Sequence, residues 1–216
     1  MANQSTTGFG FRAAERLGNT PSIGGQAKYQ LQTAPGVALM KNDPASIQDA
    51  GNQGFIQDAS FATTDDGGTG GASYASNSHA KLVGVLNGFF FIDGTTLKPT
   101  FANSVAASQA FGTNPNTGST NGFAFVNNDP YQEYTCKADA AIAQTAFNNL
   151  AFNCNNNGGT SKDGQSVVTL DISGASASAN SMFTVVANAE DPENEDITAA
   201  GCNVKVVMAA DARLYG

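Results

Sequence analysis

The sequence predicts a mainly β protein, an antiparallel β-barrel or β-sandwich with long loops and an extended N-terminal arm. Three observations carry that expectation. Runs rich in β-branched and aromatic residues recur along the chain, the strongest at 167–172, 182–187 and 204–208. Turn-forming clusters separate such runs, among them NCNNNGGTSKDG at 153–164 and Asn127-Asn128-Asp129-Pro130. Charged residues make up 13% of the chain and hydrophobic residues 41%, a balance that supports a core and argues against a solvated, disordered polymer. At 216 residues the chain is long enough for one β-rich domain, placed at 26–216.

Residues 1–25 read as the arm. They hold Phe9, Phe11, Leu17 and Ile23 among glycines, and Ala13-Ala14-Glu15-Arg16-Leu17 is long enough for only about one helical turn. Such a segment cannot bury its apolar side chains against itself, so it lies along its own domain or along a neighbouring subunit. Phe9 and Phe11 are its anchors, with Gly8 and Gly10 letting backbone approach backbone. Phe9, Phe11, Arg12, Arg16 and Leu17 are the candidate contact residues. Gly8-Phe9-Gly10-Phe11-Arg12-Ala13 also spells a G-x-G-x-x-A turn. It lacks the strand that a dinucleotide site needs before it, and no acidic residue stands at 26–30 to meet a ribose.

Within the body, 28–32 alternates polar and apolar residues as a half-buried strand does, and Ala34-Pro35-Gly36 turns the chain into a second short strand at 37–40. A flexible surface loop follows at 51–78, loosest over the glycine-rich 65–71. The core resumes at 81–92, where Gly84 and Gly88 inside a strand pattern mark bulges or close backbone approach. Residues 123–126 and 132–137 read as a hairpin around the Asn127 to Pro130 turn, and 138–149 as the one plausible helix.

Charge and motif spacing exclude several kinds of function. The net charge is -8 and the ten Lys and Arg residues are scattered, so no basic patch exists to neutralise phosphates of a nucleic acid. The longest apolar run, at 88–92, is strand-sized, and the N-terminus has no signal-peptide pattern; no membrane partner is expected, and the chain reads as cytoplasmic until assembled. Cys136, Cys154 and Cys202 read as three buried thiols, because no two have the close spacing of a zinc knuckle with His79. GTSKDGQS at 159–166 has Gln165 where a phosphate loop needs lysine. His79 stands outside any nucleophile-elbow context. The acidic 190–196, EDPENED, puts Asp196 and Cys202 where a calcium loop needs Gly and Glu, and reads as a solvated loop. The chain is therefore not expected to be an enzyme, and no catalytic residue, metal or cofactor is assigned.

The pieces GFGFR, KYQLQTAPGVALMKNDPASI, LVGVLNGFFFIDGTTLKPTF, FAFVNNDPYQEYTCKAD, NGGTSKDGQSVVTLDIS, FTVVANAEDPENED and VKVVMAADARLYG span nearly the whole chain. In that order they resemble a family of tailed-bacteriophage structural proteins, especially of marine phages, known as capsid decoration or cement proteins. The resemblance implies a β-rich protein made in the host cytoplasm that binds the outer surface of the mature head and bridges major capsid subunits. The implied partners are the major capsid protein and other copies of the chain, and no active-site residue is implied. Cementing suits such a body, since a ligand selective for the mature lattice stabilises it by mass action and many copies act together. Two other roles fit the same residues. One is a glycan or host-surface binding module on the virion, with Phe55, Phe61 and Tyr74 of the 51–78 loop as platforms; the other is a further virion component such as a tail-tube subunit.

Overall fold

The computed structural model describes residues 3–18, 20–21, 25–48, 54–59, 82–155, 163–176 and 181–214. The chain opens with β1 (Arg12–Arg16) and β2 (Thr20–Pro21) in a first sheet. It then builds a second sheet from β3 (Ala27–Leu31), β5 (Pro44–Ile47), β6 (Ile56–Asp58), β7 (Leu82–Ile92), β8 (Pro99–Ala102) and β10 (Gly122–Asn127), while β4 (Leu39–Met40) and β9 (Ser104–Val105) pair with each other. The first sheet is completed by β11 (Gln132–Lys137), β12 (Ala151–Asn155), β13 (Thr169–Ser176), β14 (Phe183–Asn188) and β15 (Asn203–Met208).

The first sheet runs β13-β12-β14-β15-β11-β1-β2 and the second β3-β10-β7-β5-β6, with β8 sharing an edge of β7 with β5. Every pairing between these strands is antiparallel. The second sheet curls far enough for Gln30 to bridge Phe55, yet among the described residues neither sheet closes into a barrel. Of the two architectures expected, the fold has that of the sandwich.

Two cores explain why these residues take these places. Phe11, Tyr134, Phe152, Leu170, Phe183 and Val206 bury the inner face of the first sheet, joined by Leu82 and Val85 of β7. Leu31, Ile56, Val83, Leu86, Phe89 and Val126 form a separate cluster belonging to the second sheet. The strand β7 is thus covered on both faces, which is why it reads as a continuous apolar run and not as an alternation. Its glycines behave as expected. The ladder to β5 slips beside Gly84 and the ladder to β10 beside Gly88. A Cβ at Gly84 would lie 2.1 Å from the Asn127 carbonyl oxygen.

Several sequence expectations are corrected. Segments 123–126 and 132–137 are strands but not a hairpin. Ala124 and Val126 face the second cluster whereas Tyr134 and Cys136 face the first, so the turn between them carries the chain from one sheet to the other. The Tyr134 hydroxyl fastens the crossing by donating to the Asn127 carbonyl at 3.0 Å. The helix expected over 138–149 shrinks to a single 3-10 turn at Gln144–Ala146, because neighbouring chain segments claim its backbone: Ala138, Asp139 and Ile142 donate to the carbonyls of Cys202, Leu170 and Ile197. Residues 12–16 are extended, and Arg12 and Ala13 pair with Thr135 and Tyr134 across the β1–β11 ladder. The 51–78 loop contributes β6, while the glycine-rich 65–71 and the candidates Phe61, Tyr74 and His79 lie outside the described residues.

Candidate functional site

The segment read as an arm lies along its own domain. Residues 8–11 thread between 41–43 and 166–168: the Gly10 amide donates to the Val168 carbonyl at 3.1 Å and the Phe11 amide to the Asn42 carbonyl at 2.9 Å. A Cβ at Gly8 would sit 2.1 Å from the Val167 carbonyl oxygen, and one at Gly10, whose φ is +71°, 2.5 Å from that of Asn42. The two glycines of GFGFR are therefore there for close backbone approach.

Of the five candidate contact residues, Phe11 is fully buried, its ring stacked on Phe183 at 4.2 Å. It anchors the chain to its own core and presents no surface in the free chain. Phe9 is half-buried, with the Arg12 guanidinium 4.4 Å from its ring centre and the Lys137 ammonium 5.9 Å away. Lys137 is itself buried and donates to the Gly201 carbonyl at 2.9 Å; burial lowers its pKa, with Asp191 opposing the change. Arg12 is exposed apart from its contact with Phe9.

Arg16 and Leu17 fall together with two residues that the sequence did not single out. The Leu17 amide donates to the Tyr131 carbonyl at 2.9 Å, and both side chains stand out, Leu17 at 41% and Tyr131 at 53% exposure. Arg16 pairs with Asp129 at 2.7 Å. The Arg213 guanidinium lies 5.8 Å from the Tyr131 ring and is held by two hydrogen bonds to the Met208 carbonyl. Tyrosine and two fixed, half-buried arginines are residue types that protein interfaces favour, and Leu17 adds exposed apolar area beside them.

The acidic loop does more than face solvent. Asp191 accepts from Asn194 and from the Glu193 amide, and Asp196 from Thr198, hydrogen bonds that lower both pKa values. The same loop and Ala200 hold Asn3: its carboxamide donates to the Asp196 and Ala200 carbonyls at 3.0 Å, and accepts from the Asp196 amide at 3.1 Å. Among the described residues no group of three or more His, Cys, Asp or Glu could hold a metal. The three cysteines are free and buried, as expected, and burial pushes each thiol up, which leaves them protonated and poor nucleophiles. No helix among the described residues is long and apolar enough to cross a membrane.

A second exposed surface lies on the outer side of β3, β10, β7 and β8. Register places Gln30, Phe123, Phe90 and Phe101 in one row across the strands, and Lys28, Phe125 and Gly88 in the next, with Asn103 following β8 beside Gly88. Phe101 is 75% exposed and packs on Phe90 with ring centres 4.8 Å apart. The Lys28 ammonium covers Phe123 at 3.6 Å. Because position 88 carries no side chain, the second row is interrupted by a slot of about 290 Å³ between Phe101 and Phe125, with Asn87 and Asn103 also lining it. The alternation in FAFV marks β10 as half-buried, but only the inter-strand register brings these aromatic residues into rows.

No family model, curated protein or solved structure matches this chain.

Proposed function

We propose that this protein is a virion structural protein that binds the outer surface of a tailed-phage head and cements the mature lattice by bridging major capsid subunits. The observation that supports the reading best is the patch of Arg16, Leu17, Tyr131 and Arg213. It offers apolar and aromatic contact area with two arginines whose partners already fix their direction, so little side-chain freedom is lost on docking. Two of its members are candidate contacts from the sequence, and the family resemblance supplies the partner. With Phe11 committed to the core, contact is made by the surface of the folded body and not by a free arm. Modest affinity per site is enough, because a lattice presents many identical sites at once.

The test is to incubate the purified chain with expanded heads that lack it. Stoichiometric binding and a higher temperature of head disruption are expected, and Leu17→Asp or Tyr131→Ala, both at exposed positions, should weaken binding about tenfold or more without unfolding the protein. Absence of binding to such heads overturns the proposal, and unchanged binding by both variants overturns the assignment of the surface.

A further inference from the structure

The slot over Gly88 is a cavity without an assigned role, and four observations bear on its occupant. It is open: among the described residues a Cβ built on Gly88 would meet nothing within 4 Å except the Ala102 carbonyl oxygen at 3.6 Å, so none of their rings folds over the glycine. Its walls are aromatic, and among the described residues Phe125 has no ring or cation packed on it, whereas Phe123 is already covered by Lys28. Asn87 and Asn103 line it, and among the described residues neither carboxamide makes a hydrogen bond. Among the described residues no charged side chain lines it.

We propose that this slot binds one neutral pyranose ring, a hexose unit of a glycan. A sugar ring offers C–H faces to aromatic rings and hydroxyls to carboxamides, and this slot presents both complements. An anion such as a nucleotide meets no cation among the described lining residues and a chain of net charge -8. A purely apolar side chain from a protein would cover Asn87 and Asn103 and leave their carboxamides unpaired, which is unfavourable. The volume of about 290 Å³ is at the small end for ligand pockets and suits one ring-sized group. The slot shares no residue with the patch around Leu17 and Tyr131, so head binding and sugar binding can succeed or fail independently. Its lining residues also differ from Phe55, Phe61 and Tyr74, the platforms that the sequence suggests for a glycan-binding role.

The test is an NMR titration of the full chain with methyl α-glucopyranoside, methyl α-mannopyranoside, methyl β-galactopyranoside and N-acetylglucosamine, each alone, alongside a triproline peptide. At least one sugar should cause saturable shifts confined to 87–89, 101–103 and 125, with a Kd of about 1–10 mM, as expected for so small a ligand. Phe101→Ala and Asn103→Ala, both at exposed positions, should each weaken that Kd about tenfold while the melting temperature stays unchanged. No saturable shift with any of the sugars overturns the proposal, as do shifts that survive both substitutions. Saturation by triproline in place of the sugars overturns it in favour of a protein segment.

Discussion

Truncating Phe11 to alanine removes a ring that is fully buried and stacked on Phe183 at 4.2 Å with 15° between the planes. The residue's backbone is fixed by the bonds of Gly10 and Phe11 to Val168 and Asn42, so the surroundings have little freedom to collapse into the gap. Phe→Ala changes of this kind cost about 3–5 kcal/mol, of which the aromatic pair accounts for about 1 kcal/mol. Against a total of roughly 5–15 kcal/mol for a typical domain, that is a large fraction. Phe9→Ala, at a half-buried ring under Arg12, should cost only about 1 kcal/mol. Urea unfolding of both variants and the parent measures the difference, provided the slope with denaturant stays constant. A loss below about 1 kcal/mol for Phe11→Ala, or equal losses for both variants, would refute the reasoning that the N-terminal segment completes the core.

Two further outcomes follow from the same geometry. Asp43 is buried, and desolvation pushes its carboxyl up to about 7 although Ser166 and the Met40 amide pull the other way. The folded chain therefore keeps a proton that the unfolded chain releases between about pH 4 and pH 7. Stability should fall as pH rises through that window, by up to about 1.4 kcal/mol per pH unit, and level off above it. Asp43→Asn should flatten this component in thermal melts recorded across the same range, and an unchanged slope would count against it. At the bulges, Gly84→Ala places a Cβ 2.1 Å from a backbone oxygen and should cost about 3 kcal/mol. Gly118→Ala, at a φ of +68° with nothing among the described residues within 4 Å, should cost only about 1 kcal/mol, from backbone strain alone; denaturation midpoints compare the two.

The parts of the fold visible in the sequence are those set by local chemistry. The β-branched runs become β13, β14 and β15, Gly84 and Gly88 mark slips in the ladders of β7, and the three cysteines are buried. The parts that depend on which strand meets which were not visible. Ala13-Ala14-Glu15-Arg16 shows neither alternation nor β-branching and becomes a strand because β11 offers an edge to it. The strands β10 and β11 look like hairpin partners because the turn between them is short, yet their apolar faces serve different cores. The same limit applies to the candidate sites. Leu17 and Arg16 are legible in the sequence as candidate contacts, but Tyr131 joins them only through the Leu17–Tyr131 hydrogen bond and Arg213 only through the Tyr131 ring, links between segments far apart in the chain. The slot over Gly88 depends on register across three strands.

Amide hydrogen exchange of the free chain tests most directly whether residues 11–16 belong to the protein's own fold. The Phe11 amide and those in the β1–β11 ladder should exchange as slowly as the amides of β15 in the same sheet. Exchange of 11–16 at the rate of an unstructured peptide, while β15 stays protected, would mean that this segment is free until a partner receives it, and would contradict the account.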